Sequence, residues 1–563
     1  RVGWHGHSAE GNPSGGNILR GLHNIVLKSL GAARKKDPAL RLDGVIQYGE
    51  PVDPKGFLFM DSPGNDLESV AGQIGSGCTM IYFTTGNGSI TNFPFVPTIK
   101  FVTTTERFEL LHEDMDVNAG RYLDGEDFED LAHEIFDLTV DVASGRQTAG
   151  ERAGHSQVQI WRDWAQTGPV DSPAGHGLTR SPGAVGLGLP GIGLPGVGGP
   201  ADDPLSPLAD TLLDGVPLPV PAAVADAVPL PPLSRVVRAD GRTASQAVAL
   251  VLPTSLCSGQ IAVRIADRAG RENWHGGRAD RTVALPHTEG CGSSSGDSEE
   301  IFTRTMINHL RHPNTGWALL LEHGCEKTHN AHFRVLMEEA GVDPASVGYA
   351  SIQADGGITA ATEKVKQWFV DQVAESGAPR RRTADWQGVV LGLCGIGTDA
   401  LDEGLARTVT ELTVRVLASG GSVVLSSEDP LLSSDAFAAL VPAGAAATLG
   451  HGQRIETAGL HLMNGAGSDR LETLTGLGGT GAEVIVALTP GPGQRYTPVV
   501  RIAAEATPGA ADADLVVGAD VTAAAESLAG EVGEVLQGER TVTAHRDGDE
   551  GFQFTRGLLG VSL

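Results

Sequence analysis

Short apolar runs recur along the chain, each stopping at a polar or glycine-rich turn. The clearest are 56–61, 79–83, 97–102, 247–253 and 319–321. Continuous apolar runs of this length read as strands buried on both faces. Between them lie stretches with apolar residues at helical spacing, over 67–74, 128–144, 298–311 and 359–374, with a further helix expected from about Gln260. Alternation of buried-type strands with helices predicts an α/β protein built of several doubly wound units.

The pattern divides the chain into four stretches. Residues 1–165 form one α/β unit and 241–385 a second. Between them, 166–240 is dense in Pro and Gly, including Gly186-Leu-Gly-Leu-Pro-Gly-Ile-Gly-Leu-Pro-Gly. Repeated Pro and Gly support neither a packed helix nor a central strand, so a long linker is expected there. A short helix over 207–213 is the one element expected within it, and its apolar character allows docking on a neighbour. Residues 386–563 form the last unit, and they echo the first. Gly459-Leu-His-Leu-Met-Asn464 parallels Gly56-Phe-Leu-Phe-Met-Asp61, and Pro498-Val-Val-Arg501 parallels Pro97-Thr-Ile-Lys100. At a spacing of about 400 residues this reads as two copies of one domain. The second copy has lost polar groups: Asn464 stands for Asp61, and Thr489-Pro-Gly-Pro-Gly for Thr85-Gly-Asn-Gly. The first copy is therefore expected to carry a site and the second mostly a fold. Residue 1 is an Arg with no cap or turn signal around it. That suggests a start inside a domain, with an amino-terminal portion or a homo-oligomer supplying the rest.

Composition narrows the partners. A net charge of −28 over 563 residues argues against nucleic acid and against anionic membrane surfaces. It does not exclude an anionic small molecule, because a local site can be positive inside an acidic shell. No run of 18 apolar residues is present, so no membrane helix is expected. The five cysteines at 78, 257, 291, 325 and 394 are sparse and odd in number, which suits reduced cytoplasmic thiols.

Two predicted strand ends carry the same chemistry. One is His287-Thr-Glu289-Gly-Cys291; the other is His323-Gly-Cys325-Glu326-Lys327. Ligands and catalytic groups in α/β proteins collect at the carboxyl ends of strands, in loops facing a cleft. His323, His287, Glu326 and Lys327 are the candidate acid–base groups. Each also has a structural alternative as a loop cap, a helix amino-terminal charge or a surface residue. Cys291 and Cys325 offer thiolates to a metal or are small packing residues. His287 is a further candidate ligand. Asp114 and Asp116 resemble an acidic pair for a hard cation. Thr84, Thr85 and Asn87 line a hydroxyl- and amide-rich loop, and Asp61, Lys100, Glu10 and Asn12 are candidate substrate contacts.

These residues resemble the altronate/galactarate dehydratase family of sugar-acid hydro-lyases. The matching stretches are Glu10-Gly-Asn12-Pro13, Met60-Asp61-Ser-Pro-Gly, Phe83-Thr84-Thr85-Gly86-Asn87-Gly88, Pro97-Thr-Ile-Lys100 and Glu113-Asp114-Met-Asp116-Val-Asn118. In the second unit they are Cys257-Ser, His287-Thr-Glu-Gly-Cys291 and Gly324-Cys325-Glu326. The resemblance implies loss of water from an aldonate or aldarate to give a 2-keto-3-deoxy acid. It implies a divalent metal, Fe2+ or Mn2+ with Mg2+ as an alternative, and adds Asn118 to the substrate contacts. The chemistry needs a base for the weakly acidic α-proton, a cation for the enediolate and an acid for the departing 3-hydroxyl. Two rival classes remain: another lyase or hydrolase acting on a small carboxylate, and a non-catalytic sugar-acid-binding protein. Metal content, a 2-keto acid assay and a substrate panel separate them.

Overall fold

The computed structural model describes residues 13, 17, 18, 21–161 except 54, and 212–554 except 239, 240, 291–296, 377–379, 399, 400, 466–468, 506 and 508. It is a mixed α/β protein with mostly parallel sheets. In the first unit, β1 (Gly44–Ile46) pairs with β2 (Leu58–Met60), and β3 (Ile81–Thr85), β4 (Thr98–Val102) and β5 (Val117–Asn118) form a second parallel sheet. Then β6 (Leu233–Val237) and β7 (Thr243–Ala244) make a hairpin. β8 (Val248–Pro253), β9 (Arg281–Ala284), β10 (Thr315–Glu322) and β11 (Gly348–Ser351) build a parallel sheet in the order β11-β10-β8-β9. β12 (Arg380–Ala384) returns antiparallel to β6.

The last unit contains β13 (Val390–Cys394), β14 (Ser422–Ser426), β15 (Leu460–Met463), β16 (Val484–Ala487), β17 (Gly493–Gln494), β18 (Val499–Ala504), β19 (Leu515–Val517) and β20 (Glu550–Gly551). β17 pairs only with β20; the other six form one parallel sheet ordered β15-β14-β13-β16-β18-β19. Between β13 and β16 the chain reverses the direction in which it adds strands.

The middle sheet organises the molecule. Every residue of β8 is buried. Successive side chains of a strand point to opposite faces, so the run splits its apolar groups between two cores. Val248, Leu250 and Leu252 pack with Phe302, Met306 and Phe333 on one face. Ala249 and Val251 pack with Ile261, Ile265 and Phe369 on the other. Each neighbouring unit contributes to one of these cores. Ile90 of the first unit enters the second group, whereas Tyr496, Phe552 and Phe554 of the last unit enter the first group. Leu67 seals the first unit against Leu256 and Cys257.

Three differences from the sequence-based expectation have physical causes. Helix Leu256–Glu272 starts four residues earlier than expected, because Leu256 and Cys257 are buried against Leu67. β3 runs on through Thr84 and Thr85, which pair with Phe101 and Val102. The expected linker is packed over its described part, 212–238. Leu218 donates to the Leu460 carbonyl at 2.8 Å, Trp386 Nε1 donates to the Pro231 carbonyl at 2.9 Å, and 233–237 is strand β6. Its apolar Val and Leu residues outweigh its prolines once a surface is available to cover them. Residues 207–211 of the expected short helix and the glycine-rich run of the linker lie outside the described residues, and Leu212 and Leu213 are not helical.

A buried ion pair fastens the middle and last units. Arg235 and Glu483 meet at 2.7 Å with side chains 1% and 0% exposed. Glu483 also accepts from the Ser245 amide and hydroxyl at 2.8 and 2.7 Å. Removing one partner of such a pair strands the other charge, so Glu483→Ala should destabilise by about 3–5 kcal/mol. Denaturant unfolding checks this; a loss below 1 kcal/mol would mean the pair behaves as a surface one.

Acid should also weaken the fold. Burial pushes His309, His332 and His451 down to about 4 and His545 to about 3. An unfolded histidine titrates near 6.5. As pH falls from about 6.5 to about 4, the unfolded chain takes up protons that the native state refuses, so stability declines. Asp66, Asp429 and Glu531, raised by burial to about 6, about 6 and about 7, act in the opposite direction but are fewer. Melting temperature should fall steadily from pH 7 to pH 4.5. A flat or rising profile would contradict this account.

Candidate functional site

The carboxyl end of β10 turns into the 323–329 loop, and the loop folds inward rather than facing open solvent. His323 and Glu326 are 2% and 1% exposed. The Glu326 carboxylate accepts from the His323 amide at 2.8 Å, the Gly324 amide at 2.5 Å, the Thr254 hydroxyl at 2.8 Å and the Ser255 hydroxyl at 3.2 Å. It thus ties the end of β10 to the end of β8. Four donors on one carboxylate make a loop clamp. Gly324 takes a left-handed conformation, φ 126°, where other residues are strained. The turn brings His323 Nδ1 to 3.2 Å from Cys325 Sγ. Lys327 is half-buried and its amide donates to the Gly290 carbonyl at 3.0 Å, joining this loop to the one after β9.

His287 sits in that neighbouring loop with both ring nitrogens engaged. Nε2 donates to the Pro253 carbonyl at 2.8 Å, and Nδ1 accepts from the Glu289 amide at 3.1 Å. Its ring lies against Phe302 and Phe554. This geometry fixes the tautomer and holds the loop, and it does not present a lone pair to a ligand. Cys291 lies outside the described residues, as do Glu10 and Asn12.

The first unit brings a second set of groups to the same place. The Asn87 carbonyl accepts from Arg107 at 2.6 Å, and the same guanidinium nitrogen donates to the Gln353 carbonyl at 2.7 Å. Gln353 Nε2 donates to the Gly88 carbonyl at 2.6 Å, and the Gln353 amide donates to the His323 carbonyl at 2.9 Å. The 86–89 loop is therefore laced to the turn after β11 and through it to His323. Thr85 accepts from the Gly88 amide at 3.1 Å and holds that loop, while Thr84 is exposed. Asp61 is half-buried at the end of β2, where its amide donates to Ile46.

Lys100, on β4, is fully buried, and its Nζ makes no hydrogen bond among the described residues. Burial lowers its pKa, opposed by the charges of Asp114 and Asp116. His155, 1% exposed, is close enough to feel both Lys100 and His323. Burial first, then Lys100, His323 and Arg264, pushes it well below the ordinary histidine value. Neither His155 ring nitrogen makes a hydrogen bond of ordinary geometry, although the Gln157 side chain interacts with the ring. Lys100, His155 and His323 thus share one electrostatic neighbourhood where the first and middle units meet. Sequence reading passed over His155, Arg107 and Gln353. No local motif marks them, and only the docking of two units makes them neighbours.

The acidic pair is used otherwise than expected. Asp116 accepts from the Lys100 amide at 2.9 Å and the Ala149 amide at 2.6 Å, one with each oxygen. Asp514 does the same in the last unit, taking the Arg501 amide at 2.8 Å and the Thr543 amide at 2.6 Å. Asp114 accepts from the Ile358 amide at 2.8 Å across the unit boundary. Burial raises its pKa. Asn118 accepts from the Gly120 amide and bonds Thr105, which makes it a turn residue. Among the described residues no three His, Cys, Asp or Glu side chains converge to hold a metal ion. His323 and Cys325 are an adjacent pair with ligand chemistry among the described residues. Two side chains alone fall short of the closed donor set of a tight transition-metal site, and Cys291, the other thiol expected at a metal, lies outside the described residues.

The fold and this neighbourhood define a multi-unit parallel α/β protein with its polar groups gathered at carboxyl strand ends and at a unit boundary. Two family models match it: D-galactarate/Altronate dehydratase, C-terminal, over residues 1–166, and D-galactarate dehydratase/Altronate hydrolase, second domain, over 236–376. The chain belongs to the altronate/galactarate dehydratase family. It is 34% identical over 151 residues to altronate dehydratase of Escherichia coli K12, covering 27% of this chain and 30% of that protein. Against the galactarate dehydratase (L-threo-forming) of the same organism the figures are 34% over 153 residues, 27% and 29%. Against the (2R)-sulfolactate sulfo-lyase subunit beta of Chromohalobacter salexigens they are 30% over 155 residues, 27% and 40%. Each match spans less than half of the relative's length. A solved structure titled as the glycotransferase of kitacinnamycin covers 54% of this chain at 14% identity, with a TM-score of 0.16 that carries no argument. No helix among the described residues is long and apolar enough to cross a membrane.

The clamp role of Glu326 has a direct test. Hydrogen bonds to a charged group contribute about 1.5–3 kcal/mol, so Glu326→Gln should cost at least that much in denaturant unfolding. Unchanged stability would free the carboxylate for a chemical role instead.

Proposed function

We propose that this chain acts as a hydro-lyase on a sugar acid, removing water from an aldonate or aldarate of the altronate or galactarate type to give a 2-keto-3-deoxy acid. The observation that carries the reading is the buried Lys100–His155–His323 neighbourhood, formed where the two family-matched stretches meet. In this reading an imidazole, His323 or His155, takes the proton from C2. The electron pair moves toward the substrate carboxylate, and the Lys100 ammonium offsets the developing enediolate charge. The 3-hydroxyl leaves as water, taking its proton from the imidazolium just formed or from the Lys100 ammonium, and the resulting enol tautomerises to the 2-keto acid. Burial keeps His155 unprotonated and so able to accept a proton. Arg107 and Gln353 position the 86–89 loop against His323.

The duplication belongs to the same proposal. We read residues 1–165 and 386–563 as two copies of one doubly wound domain, the first bearing the site. Asp116 and Asp514 accept the same two backbone amides in each. Gly154 and Gly548 both end a short helix in the left-handed conformation, and the next residue is His155 in one copy and Asp549 in the other. Arg501 meets Asp549 at 2.9 Å. Lys100 has an imidazole in that place instead of a carboxylate. One copy pairs its buried cation internally; the other leaves it for a ligand.

A second reading has one observation in its favour. The sulfo-lyase relative is named for eliminating sulfite, not water, from a small hydroxy acid. Proton abstraction beside a carboxylate and loss of the neighbouring group serve either reaction, so another lyase on a small carboxylate is the alternative.

Altronate, galactarate and sulfolactate should be assayed for 2-keto acid formation, with and without added Fe2+, Mn2+ or Mg2+. The expected result is turnover on a sugar acid. Loss of a general acid or base costs about 10²–10⁴ in rate, so Lys100→Gln and His155→Asn should each lower turnover by that order while the folded spectrum is kept. Turnover on sulfolactate alone would transfer the chain to the second reading. Native rates in both variants would remove this neighbourhood from the chemistry.

A further inference from the structure

A cavity of about 1120 Å³ opens at the other end of the parallel sheets. Its walls include Ala247 before β8, Thr315 at the start of β10, Val347 before β11 and Val390 at the start of β13. The His323 loop stands at the carboxyl end of β10. Eight residues of strand at about 3.3 Å each separate the two ends, so the cavity is distinct from the candidate site.

Six arginines contribute to its lining. Arg238, Arg242, Arg311, Arg380, Arg382 and Arg454 all contribute to the wall. Strand alternation explains two of them: on β12, Arg380 and Arg382 line the cavity, while the intervening Arg381 donates away from it to the Ser234 and Ser245 carbonyls. Among the described residues the carboxylates nearby are few. Asp385 is in the lining, and the single carboxylate of Glu456 serves both Arg311 at 3.1 Å and Arg454 at 3.6 Å. Glu483 is committed to Arg235. Burial pushes the Arg454 guanidinium down, and Arg311 and Arg242 add to this, so like charges crowd one another here. Such a concentration of cation stands out in a chain of net charge −28. Planar guanidinium forks converging from several strands match carboxylate or phosphate oxygens in pairs.

We infer that this cavity is a binding site for a small multivalent anion, a molecule carrying two or more carboxylate or phosphate groups, separate from the proposed catalytic neighbourhood. Its walls come from both the middle and the last unit, so an occupant would fasten the two together. A monovalent anion would satisfy one guanidinium pair and leave the rest crowded.

The full chain should be titrated with citrate and with pyrophosphate, and with acetate at matched ionic strength so that screening is equal. Calorimetry and melting temperature are the readouts. Saturable binding of citrate or pyrophosphate with a raised melting temperature is expected, and none with acetate. Which of the two binds more tightly tells carboxylate from phosphate recognition. Arg242 and Arg382 are exposed, so Arg242→Gln/Arg382→Gln should fold normally and weaken binding by about tenfold or more, as loss of charge-assisted hydrogen bonds does. Arg454→Gln provides a second variant. His323→Ala should leave anion binding unchanged. Absence of saturable binding, equal binding by acetate, or indifference to both arginine variants would overturn the inference. Loss of binding in His323→Ala would also overturn it, by moving the anion to the other end of the sheet. None of these outcomes depends on whether sugar acids are dehydrated.

Discussion

A parallel sheet covered on both faces is the constraint on which this molecule rests. The β11-β10-β8-β9 sheet has apolar side chains on each face, and water can be excluded from both only if something packs on each. Its own helices cover most of that surface. Ile90 from one side and Tyr496, Phe552 and Phe554 from the other complete it. The strand ends then lie beside unit boundaries rather than in open solvent. Polar groups arriving there must be satisfied by partners from elsewhere in the chain, which is what Glu326 and Gln353 accomplish.

The contrast between Lys100 and Arg501 follows the same logic. The backbone amide of each donates to a half-buried aspartate, Asp116 or Asp514, and both side chains lie out of water. A buried cation is tolerated when paired and is costly when it is not. Arg501 has Asp549 and the Gly491 carbonyl. Lys100 has electrostatic help from Asp114 and Asp116 but no hydrogen bond for its Nζ, and the residue in the Asp549 position is His155. The fold retains a group whose full satisfaction it does not provide, and such places are where proteins bind or react with something else.

Charge is distributed as unevenly as packing. The chain carries 69 acidic and 41 basic residues, yet the cavity at the amino ends of the strands gathers six arginines. The opposite end holds a lysine and two histidines, of which His155 is kept unprotonated by burial. An acidic exterior repels anions in bulk, and local positive sites become selective by contrast.

The sequence alone determined the strand–helix alternation, the apolar core positions, the echo between Met60 and Met463, and the two His/Cys strand ends with the family they resemble. Those features are local: a buried strand is a continuous apolar run, and a motif is a fixed spacing. What a side chain does at the end of a strand was decided by tertiary structure. His287 and Glu326 look like free acid–base groups in a loop, but Pro253, Thr254 and Ser255, some seventy residues from Glu326, take up their polar atoms. Asp116 looks like a ligand, but it is bonded to two amides that lie 16 and 33 residues away. His155 carries no signal at all until docking sets it beside Lys100 and His323. Hydrogen bonds and electrostatic fields act through space, so the residues that complete a site need not be near it in sequence, and only the packed fold specifies them.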